Sequence, residues 1–222
     1  MFLRRSYDAE MLDDFSIRDT RIDSALIELR VINILLGGNS ISREGISKLH
    51  TETCPLTVLD IGAGASDILR SIKNKFSNLV IYSLDRNRRA CIYLKGSSAE
   101  VKVTCGDVLN LPFDKPFDIV HASLFLHHFD EEEIRKIIGS LLKLSVKGIV
   151  INDLRRSIFA WLGIKVLTYL FSKSEAVKYD APLSVRRGFI RKDWTDMLDK
   201  IIPCKYSIKR KWAFRWLVVI YK

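Results

Sequence analysis

Val58-Leu59-Asp60-Ile61-Gly62-Ala63-Gly64-Ala65-Ser66-Asp67 is the stretch whose reading decides the fold. Val58, Leu59 and Ile61 suit a short parallel strand covered on both faces. Gly62 and Gly64 give a turn free of side chains, where a backbone can approach a ligand. Ser66 or Asp67 is then placed to cap a helix over 68–76. A strand, glycine turn and helix in this order present free N–H groups at the carboxyl edge of a sheet, where nucleotide-like ligands bind.

The neighbours of the turn narrow the ligand. A dinucleotide fingerprint would carry a third glycine where Asp67 stands. Asp60, two positions before the first glycine, would repel a pyrophosphate but suits a ligand bearing an ammonium group. This D-x-G-x-G pattern resembles the first motif of the class I S-adenosylmethionine (SAM) methyltransferases. Leu79 to Leu84 reads as a second buried strand ending in Asp85, 25 positions after Asp60, where a carboxylate can accept from both hydroxyls of a ribose. The alternative for Asp85 is a cap on a helix over 87–94. Val101 to Cys105 gives a third strand, and Gly106-Asp107-Val108 after it resembles the adenine-contacting motif. The resemblance therefore implies cofactor contacts from Asp60, Gly62, Ala63, Gly64, Asp85, Arg86, Asp107, Val108 and Ser123.

A fourth strand, 116–123, runs into Leu124-Phe125-Leu126-His127-His128-Phe129. Asp118 near its start resembles a structural position of the family. His127 falls where the family places a polar side chain facing the active site, whereas His128 matches a structural helix-start position. Acids 130–133 suit the N-terminus of a helix over 134–144. Residues 147–157 form a fifth strand with a polar exit carrying Asp153 and Arg155. His127 is the first candidate base and Asp153 the second; His127, Arg155 and Arg187 are the candidate substrate contacts.

Outside this core, Tyr7 to Leu36 has helical periodicity through Ile22, Leu26, Leu29, Asn33 and Leu36, and Gly37-Gly38-Asn39 should stop it. It reads as a lid, with Arg30 or Arg18 as partners for a cofactor carboxylate, followed by a helix over 43–50. Residues 158–171 make a helix apolar on nearly every face, to be buried against protein, lipid or an oily substrate. A loop is expected over 172–189, a helix over 192–202, and two terminal strands over 204–212 and 214–221.

The expected architecture is an α/β, Rossmann-like, seven-stranded and mainly parallel sheet with helices on both faces, an antiparallel last strand and an N-terminal helical lid. It forms one domain over 1–222: lid 1–50, SAM-binding core 51–154, substrate-side helix and loop 155–190, and a terminal helix with strands 191–222. No apolar run is long enough to span a bilayer, and no signal peptide is read at the start. Four scattered cysteines fit a reducing cytoplasm, and no metal site is expected.

Charge is uneven. Residues 1–150 hold 20 basic and 20 acidic side chains, whereas 151–222 hold 16 and 6, so the formal +10 lies in the last third. That leaves open a solvated face, an anionic membrane surface or a nucleic acid. No RNA-recognition motif accompanies it, so no specific nucleic acid and no obligate protein partner are expected.

Asn152 to Ser157, Ser123 to Phe129 and Ser184 to Phe189 resemble a bacterial methyltransferase subgroup that accompanies type III polyketide synthases. The likeness implies SAM as cofactor, S-adenosylhomocysteine (SAH) as product, and a small hydrophobic phenolic or polyketide-like acceptor, with O-methylation favoured. Ala65-Ser66 departs from the further glycine of close relatives. The rival readings are an NAD-dependent oxidoreductase, an RNA methyltransferase and a non-catalytic SAM-binding protein.

Overall fold

The computed structural model describes residues 4–13, 21–50, 55–76, 78–201 and 205–222. In chain order the elements are α1 (Arg21–Leu35), α2 (Gly38–Leu49), β1 (Leu56–Ile61), α3 (Asp67–Ile72), β2 (Leu79–Asp85), α4 (Arg88–Ser97), β3 (Val101–Cys105), β4 (Phe117–Ser123), α5 (Glu131–Leu144) and β5 (Ser145–Leu154). Then come α6 (Ile158–Phe171), α7 (Glu175–Arg187), α8 (Arg191–Leu198), β6 (Tyr206–Lys211) and β7 (Arg215–Tyr221).

The sheet runs β3-β2-β1-β4-β5-β7-β6. The strands from β1 to β5 pair in parallel, and β7 is antiparallel to both β5 and β6. Chain order reverses between β1 and β4, the switch point where ligands bind in open α/β sheets. The expected seven strands and antiparallel last strand are both present.

Two apolar layers hold the sheet. On one face Ile41, Ile46 and Leu49 of α2, with Leu69, Ile72 and Leu94, cover Val58, Ile119, Val150 and Leu217. Gly45 lets α2 approach closely, because a Cβ there would stand 2.4 Å from Val150 Cγ1. On the other face Ile134, Ile137, Ile138 and Leu141 of α5 join Trp194 and Met197 of α8. The acids before α5 act as expected: Asp130 accepts from the Glu133 N–H (2.8 Å), and Glu133 accepts from the Asp130 N–H (3.0 Å).

Above the carboxyl ends of the strands, α1, α6 and α7 share a smaller apolar cluster of Ile32, Leu36, Ala160, Ile164, Ala181 and Val185. The loop expected over 172–189 is instead largely the helix α7. Ser174 Oγ caps it at the Val177 N–H (3.3 Å), and burial of Val177, Leu183 and Val185 holds Pro182 inside it. The glycine pair ends α1 as expected, but α2 begins already at Gly38, with Gly37 left-handed at φ +72°. Helix α8 is shorter than expected; Ile202 and Cys204 of the terminal elements lie outside the described residues, as do Arg18 and Cys54.

Only one stripe of α6 is buried, on Ala160, Ile164 and Thr168, while Phe159, Tyr169 and Phe171 are more than 70% exposed. Protein covers this helix less completely than its composition suggests. Among the described residues no helix is long and apolar enough to cross a membrane.

Candidate active site

A cavity of about 950 Å³ opens at the switch point, between the strand ends and the α1–α6–α7 cluster. Gly62 and Gly64 form part of its floor in left-handed conformations, φ +62° and +50°. A Cβ on Gly62 would fall 2.0 Å from Phe125 Cδ2, so the ring of Phe125 can rest on the turn only because Gly62 lacks a side chain. Leu124, beside it, holds φ +51°, a conformation that a branched residue adopts only under constraint. Its N–H is tied to the Asn152 carbonyl (2.9 Å).

At the tip of β2, Asp85 accepts from the Gly64 N–H (2.7 Å) and the Asn87 N–H (2.7 Å). Asn87, not Asp85, caps α4, through the N–H groups of Arg89 (2.9 Å) and Ala90 (3.3 Å). Burial pushes the Asp85 carboxyl above its ordinary range, although both N–H groups oppose the shift. Beyond β3, Asp107 accepts from the Leu109 N–H (3.0 Å) and faces Arg86 Nη1 at 3.6 Å. Asp85, Arg86, Asp107 and Val108 all line the cavity, at one end.

Asp60 lies one layer lower. It is buried, does not line the cavity, and has both oxygens engaged: Ser66 Oγ donates to Oδ2 (2.6 Å), and His121 Nδ1 stands 2.7 Å from Oδ1. Both oxygens of the acid expected beside an ammonium group are thus engaged by protein groups under the glycine turn. Ser66, expected as a helix cap, makes no cap bond and sits at φ +50°. Ala63 and Ser123 also lie outside the cavity lining. Asp118 fills its expected structural role, accepting from the Thr57 N–H (2.9 Å) and Oγ1 (2.7 Å).

On the other side of the Gly62 turn stand His127 and Asp153. His127 Nδ1 is 2.7 Å from Asp153 Oδ1, and Asp153 accepts further from the N–H groups of Leu126 (2.9 Å), His127 (3.3 Å) and Leu154 (2.7 Å). Burial alone would raise the Asp153 carboxyl; His127 and the Leu154 N–H reverse the balance and hold it below the usual range. In a neutral ring a carboxylate at Nδ1 favours the proton on that nitrogen, which makes Nε2 the acceptor. His127 lines the cavity, whereas Asp153 is fully buried behind it.

Arg187, expected to touch substrate, is buried and spent on the scaffold. It donates from Nε to the His127 carbonyl (3.2 Å), from Nη2 to the His128 carbonyl (2.7 Å) and from Nη1 to Asp13 Oδ2 (3.1 Å). It does not line the cavity. Arg155 does, with its guanidinium 4.9 Å over the ring of Phe214. Arg30 is bound to Asp67 (3.5 Å).

Three features had no sequence signal. The first is an N-terminal strap: Met11 and Leu12 donate their N–H groups to Asp180 (2.7 and 2.9 Å), and Arg5 donates to the His127 carbonyl (2.8 Å). The second is Glu10, carried by that strap to within 3.8 Å of His127 Nε2 and 4.0 Å of His128 Nε2. This Glu-His-His group has the donors of a metal site, but Arg187 Nε at 3.9 Å and Ser184 Oγ at 2.8 Å already serve Glu10. The third is Arg215, a buried guanidinium at the start of β7.

Residues 58–148 match the model of a methyltransferase domain. A 90-residue stretch is 29% identical to the demethylmenaquinone methyltransferase of Thermotoga maritima, covering 40% of this chain and 39% of the relative. An uncharacterized methyltransferase of Staphylococcus carnosus is 28% identical over 85 residues, 38% of this chain and 40% of its own. The chain thus matches about two fifths of the length of these curated relatives. Among solved structures, the plantazolicin methyltransferase BpumL, in complex with a triazolic desmethylPZN analog and SAH, superposes with a TM-score of 0.71 at 16% identity. The match covers 94% of this chain and 92% of that one. The fold is Rossmann-like, shared with this structure of a methyltransferase that holds SAH.

The cavity has groups suited to a nucleoside ligand of that kind. A Cβ-free turn, two strand-tip acids and the apolar surfaces of Val108 and Phe125 lie at one end. The carboxylates of Asp85 and Asp107 match the hydrogen-bond donors of a ribose and an adenine amine.

Proposed function

We propose that the chain catalyses SAM-dependent methyl transfer to an oxygen of a small, hydrophobic phenolic or polyketide-like acceptor. The observation that carries the reading is the His127–Asp153 pair at 2.7 Å, whose histidine lines the cavity beside the glycine turn with Asp153 buried behind it. The sulfonium of SAM supplies an electrophilic methyl group. The protein has to align the acceptor oxygen behind it, exclude water and remove one proton.

A phenol, with a pKa near ~10 by analogy with tyrosine, is mostly neutral at pH 7. His127 Nε2 takes the hydroxyl proton while the oxygen forms its bond to the methyl carbon. The carbon–sulfur pair leaves on sulfur, giving SAH. Asp153 keeps the tautomer and stabilises the imidazolium as it forms. Arg155 stands at the cavity wall, where a cation favours a phenolate or enolate. Leu29, Ile32, Phe159, Ile164 and Leu167 line the space left for an oily acceptor, and the exposed side of α6 continues it outward. Support for this acceptor class comes from that apolar lining and from the likeness of the 123–129, 152–157 and 184–189 segments to the polyketide-associated subgroup.

The test is methyl transfer from labelled SAM to a panel of alkylresorcinols, alkylpyrones and simple phenols, with products identified by mass spectrometry. Methylated product from an alkyl-bearing phenol supports the reading. Binding of SAH without transfer to any member of the panel sinks the acceptor class.

A further inference from the structure

A hydrogen-bonded chain of polar side chains crosses the sheet beneath the cavity and ends at a cation. From Asp60 it passes through His121, Ser42 (2.9 Å from His121 Nε2) and Asn152, whose Nδ2 donates to Ser42 Oγ (3.0 Å). At its end Arg215 donates from Nη1 to Asn152 Oδ1 (3.5 Å) and from Nη2 to Asn33 Oδ1 (2.6 Å).

Arg215 is 1% exposed, and both its partners are neutral amide oxygens. Its buried Nε has no hydrogen-bond partner, and among the described residues no carboxylate lies within ion-pair distance. The acid whose field it feels, Asp153, is committed to His127 and three N–H groups. Burial pulls the guanidinium down to about 10, with Asp153 opposing. An uncompensated buried cation is costly, and a guanidinium offers a fork of donors suited to a carboxylate. Arg215 lines the cavity together with Asn33 and Arg155. Lys211, opposite it in the β6–β7 register, is already paired with Glu44.

We infer that Arg215 is the carboxylate-binding residue of this cavity, completing its charge with an anionic group of a bound ligand. Two ligands bring such a group: the methionyl end of the cofactor, and an acceptor carrying an ionised acid. The inference rests on the methyltransferase reading only for the first of these.

The variant Arg215→Met tests it, with Arg215→Lys beside it and thermal melting as the control for folding. Removing an unpaired buried charge should leave the melting temperature unchanged or higher. Calorimetric titration then uses two matched pairs of probes. SAH is compared with 5′-methylthioadenosine, which keeps the nucleoside and thioether but lacks the carboxylate; decanoate is compared with decanol.

A tenfold or greater loss for SAH, with methylthioadenosine unchanged and partial recovery in Arg215→Lys, assigns Arg215 to the cofactor carboxylate. A similar loss confined to decanoate assigns it to the acceptor. Equal losses within a pair, or no loss in either, overturn the inference. Wild-type protein that binds no SAH would strike the methyltransferase reading, while the decanoate pair would still decide the role of Arg215.

Discussion

His121 Nδ1 lies 2.7 Å from Asp60 Oδ1, with both groups buried between β1 and β4. The acid of the glycine motif therefore secures the turn from below: its other oxygen takes the Ser66 hydroxyl, at the start of α3. Asp60→Ala would leave His121 and Ser66 without their acceptor, at ~1–3 kcal/mol for each buried group. We expect a drop of roughly 2–5 kcal/mol in unfolding free energy by urea denaturation. A variant as stable as wild type, with only cofactor affinity lost, would return Asp60 to the ligand.

Asp85 should behave in the opposite way. Its oxygens face the cavity end where the turn and α4 begin, and they hold the N–H groups of Gly64 and Asn87. Asp85→Ala removes the acceptor for a ribose diol. SAH affinity should fall by about 10- to 100-fold, from charge-assisted hydrogen bonds worth ~1.5–3 kcal/mol. Unaltered SAH titration would remove Asp85 from the cofactor site.

His127→Ala should lower turnover by about 10²–10⁴-fold and leave SAH binding nearly intact. Asp153→Asn should share most of the turnover loss, because an amide no longer holds Nδ1 as the protonated nitrogen. Single-turnover rates with the best acceptor separate these variants from Asp85→Ala, whose defect is in binding. Wild-type turnover in His127→Ala would end its candidacy as base.

Gly62→Ala brings a Cβ onto the Phe125 ring at a backbone φ of +62°. The cost in stability should be about 1–3 kcal/mol. Shrinking the ring in Gly62→Ala/Phe125→Ala should remove the clash and leave only the backbone part. A thermal-melt double-mutant cycle measures that coupling, and purely additive effects would contradict the contact.

The strap carries a pH dependence with two edges. His128 Nδ1 is 2.9 Å from Asp13 Oδ1, and Arg187 is bonded to Asp13 as well. Burial alone would lower His128, but Asp13 and Glu10 raise it above 6.5; burial would raise Asp13, but His128 and Arg187 bring it from 3.8 down to about 2. The raised histidine stabilises fully below pH 6.5 and loses its contribution as pH rises through its folded value. The depressed aspartate stabilises fully above pH 3.8 and loses its contribution as pH falls toward about 2. Hydrogen-exchange protection of residues 5–13 should thus be greatest between these edges, declining above the upper and below the lower, and His128→Asn should flatten the upper decline. Protection that stays level from pH 5 to 9 would refute the pairing.

Much of the scaffold was legible in the chain because its signals are local. Largely apolar runs such as 79–84 are strands that need cover on both faces, and acids at 130–133 announce a helix start. Where tertiary contacts overrode local preference, the reading failed. Helix α7 has a proline at 182 and a loop-like composition, yet its buried face and the Asp180 bonds to the strap hold it helical. Arg187 could be named as functional from its charge, but only packing shows that its donors are consumed by the carbonyls of His127 and His128.

By itself the sequence determined the α/β order of elements, the Gly62–Gly64 turn and the strand-tip acids Asp85 and Asp107, since each depends on residues within a few positions of one another. The tertiary structure alone decided which charges reach the cavity. It sank Asp60 beneath the floor, pinned His127 to Asp153 across 26 residues, and set Arg215 against Asn33 across 182. The reason is physical: burial and hydrogen-bond partners fix what a charged side chain can do, and both are supplied by elements far apart in the chain.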